Sequence, residues 1–274
     1  MILAISNRPQ AISTYSNTLG SMRSIAFLLL AFFLVTIPPA VSQDANYWLI
    51  QTQSDYNNGS YSLALQDIDE YLDLNSSDTW AWSFKANILR IMKRYSEAVD
   101  SFDQLITLDG SNAQAYNDRA LILSGGMRQH EEALNSLETA LQINPNNANY
   151  WFNKGMILEE TERYAEALVA YGQAATLNPS LDAAWYRQGW ILAKQGSYNE
   201  SLPLLDKAIE LNSKNADAWN TKGLVLMELN STEAQSCFEK ATALQPSNRG
   251  FQQNRQKVLG GMKKEPEKTI EFKR

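Results

Sequence analysis

The chain contains a single cysteine and a single histidine among its 274 residues. One cysteine excludes an intramolecular disulfide framework, and one cysteine with one histidine cannot supply the four ligands of a typical structural zinc site. A serine or cysteine triad would have to use His130 as its base. The composition is otherwise ordinary for a folded protein, with 44% apolar and 20% charged residues. Carboxylate chemistry, binding and scaffolding therefore remain as the function classes that the composition allows.

Basic residues are scarce in the central part of the chain. Residues 43–248 carry 14 Lys and Arg against 27 Asp and Glu, whereas residues 249–274 carry 8 basic against 3 acidic residues. An acidic body argues against nucleic acid as the main partner, because phosphate binding needs a basic surface. We therefore expect no nucleic-acid binding, and we interpret residues 261–274 as a basic disordered tail.

A short apolar run precedes the acidic body. Residues 25–37 are apolar except for Thr36, a basic residue stands just before them, and small residues lead up to Gln43. These are the parts of a secretory signal peptide. We therefore expect residues 22–43 to be a signal peptide that is cleaved before Gln43. The alternative is a retained membrane anchor, although a 13-residue helix extends about 20 Å against a bilayer core of about 30 Å.

Residues 1–21 are polar, show no clear period and precede a second methionine, Met22. We interpret them as a non-native or disordered extension, with Met22 rather than Met1 as the initiator. In either case we expect the rest of the chain to lie outside the cytoplasmic membrane, secreted or anchored to it.

The body of the chain repeats every 34 residues or so. An aromatic residue recurs at this interval, usually with a small residue four positions later, at Trp48, Trp82, Tyr116, Trp151, Trp185 and Trp219. A second aromatic and small pair follows in the same unit, as in Tyr164 and Ala167, and a proline closes three units. Six contiguous units result: 45–78, 79–112, 113–147, 148–181, 182–215 and 216–248.

These residues resemble the tetratricopeptide repeat, in which each unit is a pair of helices. The resemblance implies an all-α, right-handed α-solenoid of six helix pairs. Apolar residues at helical spacing support it independently, and stacked pairs would bury a shared face that no single pair can bury. Residues 249–260 are expected to form a C-terminal capping helix. The turn of the third unit is one residue longer, and we expect Gly125, Gly126 and His130 to lie in it.

In the resembled family the first helix of each pair lines a concave groove that holds an extended peptide or a partner helix. Amides at the corresponding positions could bond a peptide backbone in both directions, and large apolar side chains are typical of hot spots. The groove residues predicted in this way are Asn87, Asn117, Phe152, Asn153, Met156, Tyr186, Trp190, Asn220 and Leu224. Tyr186, Trp190 and Asn153 could equally pack against the neighbouring repeat. If Trp190 is exposed, we expect Trp190→Ala to weaken partner binding and to leave the fold intact.

Family members that clamp the acidic C-terminus of a chaperone use a lysine four residues before an asparagine. Here Ser83 precedes Asn87, and Leu49 precedes Gln53. The lysines are missing, so that activity is not implied. The acidic body favours a neutral or basic partner segment with an apolar anchor.

Other candidate sites are weaker. Cys237 is expected to be a buried small hydrophobe, and a cluster of acids on the second helix of the first unit to be a solvated face. Four Asn-x-Ser/Thr sequences would be open to glycosylation in an exported protein, at Asn58, Asn75, Asn199 and Asn230. We predict no catalytic residues, no metal and no cofactor.

The sequence therefore predicts a non-enzymatic protein-interaction scaffold, exported or membrane-anchored, whose protein or peptide partner it does not identify. The alternative is an accessory or assembly factor of an envelope complex or of a carbohydrate-processing enzyme. Facing carboxylates with raised pKa values across the groove would favour the enzymatic alternative.

Overall fold

The computed structural model describes residues 44–259, and all the regular structure in that range is helical. The predictions for residues 1–21, 22–43 and 261–274 lie outside the described residues. The helices are α1 (Ala45–Asn57), α2 (Tyr61–Leu74), α3 (Thr79–Ile91), α4 (Tyr95–Leu108), α5 (Ala113–Met127), α6 (His130–Ile143), α7 (Ala148–Glu160), α8 (Tyr164–Leu177), α9 (Asp182–Lys194), α10 (Tyr198–Leu211), α11 (Ala216–Glu228), α12 (Ala234–Leu244) and α13 (Arg249–Leu259).

The helices form six antiparallel pairs, α1–α2 to α11–α12, followed by the single helix α13. Each helix packs mainly against its neighbours in chain order, and first helices of consecutive pairs also touch. This arrangement confirms the predicted all-α solenoid, and each pair lies inside one of the predicted units. None of the helices between Ala45 and Leu259 is long and apolar enough to cross a membrane.

The two helices of a pair approach closely where the first helix carries a small residue. A Cβ atom added to Gly189 of α9 would lie 2.8 Å from Leu205 Cγ of α10. Leu205 is fully buried, and Ser201 on the same helix donates a 2.6 Å hydrogen bond to the Gly189 carbonyl. The small residue of the repeat is therefore required by the distance between the two helices.

The turn inside each pair uses one residue in the left-handed region. Glycine occupies this position at Gly59 and Gly196, whereas Lys93, Arg128, Glu162 and Asn230 adopt φ values of 56–60°. This conformation is sterically unfavourable for residues other than glycine. All six pairs thus use the same turn geometry, even the four in which the left-handed residue is not glycine.

A tryptophan hydrogen bond holds the turn between successive pairs. The indole Nε1 of Trp82, Trp151, Trp185 and Trp219 donates to the carbonyl of the residue six positions earlier, at 2.8–3.0 Å. Tyr116 occupies the same position in α5 and has no such donor. The tryptophan therefore helps to fix the direction in which the chain enters the second, fourth, fifth and sixth pairs.

Ion pairs with a spacing of 16 residues link a second helix to the following first helix. They join Asp69 to Lys85, Asp103 to Arg119, Glu138 to Lys154 and Asp206 to Lys222, at 2.5–3.1 Å. At the junction of α8 with α9 the same positions are Gly172 and Gln188. The fourth and fifth pairs are thus joined without this ion pair.

The predicted position of the third turn is wrong. Gly125 and Gly126 lie in the last turn of α5, and the left-handed residue is Arg128. A Cβ atom on Gly126 would lie 2.6 Å from Tyr95 Cγ, whereas one on Gly125 would meet no atom within 4 Å. The extra residue lengthens α5, and Gly126 packs closely on Tyr95 of α4. His130 is accordingly the first residue of α6 rather than a turn residue.

Candidate functional site

The candidate site is the side of the first helices that is turned away from the second helices, which we call the groove face. On α7, Gly155 faces the ring of Tyr171 on α8. Met156 follows Gly155 and so points about 100° away around the helix. Its side chain is 41% exposed. Leu121 of α5 occupies the equivalent position, 35 residues earlier in the chain, and is 40% exposed.

An apolar patch lies on the groove face of the second, third and fourth pairs. We call it the open patch, and it consists of Trp80, Leu121 and Met156, each at least 40% exposed. Trp80 also packs against Phe84, with ring centroids 5.0 Å apart. Large exposed apolar side chains that share a face are typical of interaction sites. The sequence analysis predicts Met156 as a groove residue but does not select Trp80 or Leu121.

The fifth and sixth pairs have buried side chains at the positions that are equivalent to Leu121 and Met156. Trp190 is 2% exposed and Leu224 is 5% exposed. The Lys194 ammonium lies 5.3 Å from the ring centroid of Trp190 and 4.6 Å from that of Tyr164. Trp190 and Leu224 therefore belong to the packed interior, and the predicted binding role of Trp190 is corrected. Because the ring is buried, Trp190→Ala should destabilise the fold by about 3–5 kcal/mol.

The predicted asparagines make hydrogen bonds within the protein. Asn153 donates a 2.7 Å hydrogen bond to Asn117, which is 4% exposed and in turn donates to Asp118. Asn254 likewise donates to Asn220 at 2.9 Å. Buried amides need partners, and the adjacent repeat supplies them. Only Asn117 is buried among these three, and peptide binding by the half-buried Asn153 and Asn220 stays a prediction.

The remaining predicted groove residues are half-buried. Asn87 donates a 3.0 Å hydrogen bond to the Ser83 carbonyl of its own helix. Phe152 packs on Tyr171 with ring centroids 5.4 Å apart. Burial raises the pKa of Tyr186 to about 12, with a further contribution from the charge of Asp217. Of this group, Phe152 lies one helical turn from Met156 and extends the open patch.

Polar contacts along the groove face join neighbouring pairs. Glu159, 4% exposed, accepts hydrogen bonds from the Tyr171 hydroxyl at 2.8 Å and from Arg187 at 3.0 Å. Burial raises the pKa of Asp118, whereas hydrogen bonds from Asn117 and Gln114 lower it. Asp118 does not face a second carboxylate in these contacts. Asp118 is therefore not part of a paired acid, whereas Asp55 of α1 and Asp67 of α2 share a hydrogen bond, and burial, followed by Asp55, raises the pKa of Asp67 to about 6.

His130 is the only histidine of the chain, so a serine or cysteine triad would have to use it as the base. Its Nδ1 atom lies 3.0 Å from Ser124 Oγ and 3.9 Å from a carboxylate oxygen of Glu160. In a catalytic triad the serine and the acid occupy opposite nitrogens of the imidazole. Here both are next to Nδ1, and Ser124 is 4% exposed. This cluster lacks the geometry of an activated nucleophile and links α5, α6 and α7 instead.

Other reactive groups show no site. Cys237 is buried on α12, as expected, and burial raises the pKa of its thiol. Between residues 44 and 259, no three or more His, Cys, Asp and Glu side chains are placed to hold a metal ion. Among the asparagines predicted as glycosylation sites, Asn58, Asn199 and Asn230 are exposed and Asn75 is half-buried.

Family models of the tetratricopeptide repeat match residues 81–112, 125–184, 189–230 and 216–248. The chain therefore belongs to the tetratricopeptide-repeat family. This family is in general a non-enzymatic, protein-interaction family, and a protein-interaction scaffold is the class that the fold defines.

Solved structures with the same fold include that of YrrB, described as a tetratricopeptide-repeat protein with an unusual peptide-binding site. It is 24% identical, with a TM-score of 0.57 over 69% of this chain and 97% of YrrB. Pseudomonas aeruginosa pilF is 16% identical, with a TM-score of 0.64 over 80% of this chain and 97% of pilF. PilW, a type IV pilus biogenesis factor, is 18% identical, with a TM-score of 0.63 over 79% of this chain and 99% of PilW. No curated protein sequence matches the chain.

Proposed function

We propose that the protein is a non-enzymatic scaffold that binds a peptide or helix of a partner protein on its groove face, outside the cytoplasmic membrane. The open patch is the observation that carries this proposal. Trp80, Leu121 and Met156 are large, exposed and apolar, whereas the side chains equivalent to Leu121 and Met156 in the fifth and sixth pairs, Trp190 and Leu224, are buried. Exposed aromatic and Met side chains are enriched at interface centres.

The partner segment is expected to be neutral or basic, with an apolar anchor for the open patch. The body carries nearly twice as many acidic as basic residues between positions 43 and 248. Such a surface attracts basic segments and repels acidic ones. Gln114 and Asn149 are exposed on the groove face, and we expect them to bond the backbone of the partner.

A binding experiment tests the groove. The full chain is used to capture partners from an envelope fraction, and the captured partner is then titrated against purified variants. We expect the double variant Leu121→Ser and Met156→Ser to weaken binding at least tenfold without lowering the melting temperature, since both side chains are exposed.

Val169→Ser is the matched control, because Val169 is 64% exposed on the second helix α8. It should leave affinity unchanged. Equal binding by the double variant and the wild type would contradict the proposed groove, as would an equal loss in the control.

Export is a separate proposal, and the apolar run at residues 25–37 supports it. Cell fractionation with N-terminal sequencing should find the protein outside the cytoplasmic membrane. A chain that begins at Gln43 would identify a signal peptide, and a chain that retains residues 22–43 in the membrane fraction would identify an anchor. Recovery of the intact chain in the cytosol would contradict export.

A second candidate function is assembly of an envelope complex. The array matches nearly the whole of pilF and PilW, and PilW is described as a type IV pilus biogenesis factor. The same capture experiment separates the candidates, since an assembly factor should recover several subunits of one complex. If the double variant recovers none of these subunits, the groove face is the surface used in both candidate functions.

A further inference from the structure

The last helix, α13, continues the register of the first helices. Gln252 donates a 2.5 Å hydrogen bond to the Pro246 carbonyl six positions earlier, as the tryptophans of earlier first helices do. Lys257 therefore occupies the register of Leu224 on α11, which is a predicted groove position. The described residues end two positions later, at Leu259. The chain thus leaves α13 at one end of the groove face.

Residues 262–274, which we call the C-terminal segment, have the composition that we expect of a partner segment. Five of them are basic and three are acidic, whereas acidic residues predominate in the body of the chain. Ile270 and Phe272 are two positions apart. In an extended chain such residues point to the same side. The segment therefore offers basic side chains around an apolar anchor.

Acidic side chains are exposed on the groove face between α13 and Met156. Glu160 of α7 follows Met156 by one helical turn, Glu228 of α11 has the same register, and both are exposed. Asp217 is exposed at the start of α11. At the register of Glu160, α9 has Lys194, whose ammonium lies over two aromatic rings. The exposed acids of this part of the face favour a basic segment.

The C-terminal segment is long enough to reach the open patch. Helix α13 touches α11, α11 touches α9, and Arg187 of α9 donates a 3.0 Å hydrogen bond to Glu159 of α7. Packed helices lie about 10 Å apart, so α13 and α7 are separated by about 30 Å. The chain from Leu259 to Phe272 can extend up to about 45 Å. Phe272 is therefore within reach of Met156 of the same chain.

From these observations we infer that the C-terminal segment folds back onto the groove face of its own chain and covers the open patch. Ile270 and Phe272 contact Met156 and Leu121, whose side chains the described residues leave at least 40% exposed. The inference rests on the proposed function, since it assigns a competitor to the partner site. A partner must displace the segment, so its apparent affinity is lower than the open groove would give.

Oxidation of Met156 by hydrogen peroxide tests this contact on the full chain. Peroxide converts accessible methionines into sulfoxides, which mass spectrometry measures residue by residue. We expect Ile270→Ser with Phe272→Ser to speed the oxidation of Met156 about fivefold, because the segment then leaves the groove open. The half-buried Met92 and Met127 should keep their rates.

Met262→Ser is the matched control, because it removes an apolar side chain of the segment outside the anchor. It should leave the oxidation rate of Met156 unchanged. Equal rates in the wild type and the double segment variant would overturn the inference. Protection of Met156 that disappears on dilution would overturn it too, since the segment would then come from a second copy.

A synthetic peptide of residues 262–274 identifies the surface. Added to the double segment variant, the peptide should bind saturably and slow the oxidation of Met156 again. Leu121→Ser in the same chain should weaken peptide binding about tenfold, and Val169→Ser should not. Circular dichroism checks that each variant is folded. A peptide that binds a folded Leu121→Ser chain as tightly as its parent would overturn the inference.

The captured partner separates this inference from the proposed function. The double segment variant should bind that partner more tightly than the wild type does. Equal partner binding by these two chains, with a loss in Leu121→Ser with Met156→Ser, would overturn the inference and support the proposed function. Protection of Met156 by the segment, with a partner that binds independently of Leu121 and Met156, would support the inference and contradict the proposed function.

Discussion

Two adjacent glycines in α5 have opposite structural roles. Gly125 is exposed and has room for a side chain, whereas Gly126 lies against the ring of Tyr95. Alanine favours a helix over glycine by about 1 kcal/mol. We therefore expect Gly125→Ala to raise the free energy of unfolding by about 1 kcal/mol, and Gly126→Ala to lower it by about 1–3 kcal/mol through overpacking.

Chemical denaturation monitored by circular dichroism measures both effects, and each variant serves as the control for the other. A gain in stability from both substitutions would show that Tyr95 can move aside. Equal losses would show that the chain needs glycine torsions at both positions.

Asp67 makes stability depend on pH. Its pKa is raised to about 6, so the folded protein holds this proton more tightly than the unfolded chain does. The resulting stabilisation is present below the ordinary aspartate pKa and is lost as the pH rises through about 6. We expect a loss of about 1 kcal/mol between pH 4 and pH 7, less than the full linkage value because water screens this half-exposed group.

Thermal unfolding of wild type and Asp67→Asn across that pH range isolates the effect, since the variant should lose less stability as the pH rises. Asp73→Asn, an exposed change on the same helix, is the control. Parallel pH curves for the wild type and Asp67→Asn would contradict the assignment.

At the scale of the helical elements, the tryptophan hydrogen bonds hold the turns between pairs. Trp185→Phe removes the donor to the Pro179 carbonyl and keeps most of the ring. We expect a loss of about 1 kcal/mol in the free energy of unfolding. The reverse change, Tyr116→Trp, supplies a donor where the third pair has none and is the comparison. Equal stability of Trp185→Phe and the wild type would show that ring packing alone holds the turn.

The elements could be predicted from sequence because the 34-residue register repeats in both helices of each pair. Several features of the groove could not be predicted in this way. Whether a groove-face residue is covered depends on its neighbours: the Lys194 ammonium lies over the rings of both Trp190 and Tyr164, whereas the residue 34 positions before Lys194, near Met156, is Glu160. The pairing of Asn153 with Asn117 likewise depends on a contact between repeats, which a single repeat cannot display.

The boundary between α5 and α6 shows the same limit. A glycine pair is typical of a turn, and sequence reasoning therefore placed Gly125 and Gly126 in one. In the structure both are helical, and Tyr95 of the preceding helix leaves no room for a side chain at Gly126. A contact between pairs thus explains the presence of Gly126, which the local sequence alone suggests is a turn residue.

At the scale of the whole molecule, stability is local because each pair contacts mainly its neighbours. Phe251→Ala should detach α13 from Ala216 and Ala241 and increase amide hydrogen exchange in α11 and α12. Exchange in α2 to α4 should stay unchanged. Phe251→Leu, which keeps much of the apolar contact, is the control. A uniform rise in exchange along the chain would show that the array unfolds as one cooperative unit.

The contacts between successive pairs also give the array a mechanical property. A chain held at its N-terminal end and pulled at its C-terminal end carries the force through each junction in turn. A pair that detaches releases about 34 residues, which extend to roughly 110–120 Å. The protein would then lengthen in equal steps and shorten again as the pairs refold. If an N-terminal anchor holds it at a membrane, the array acts as a spring that limits the tension between that membrane and whatever it binds.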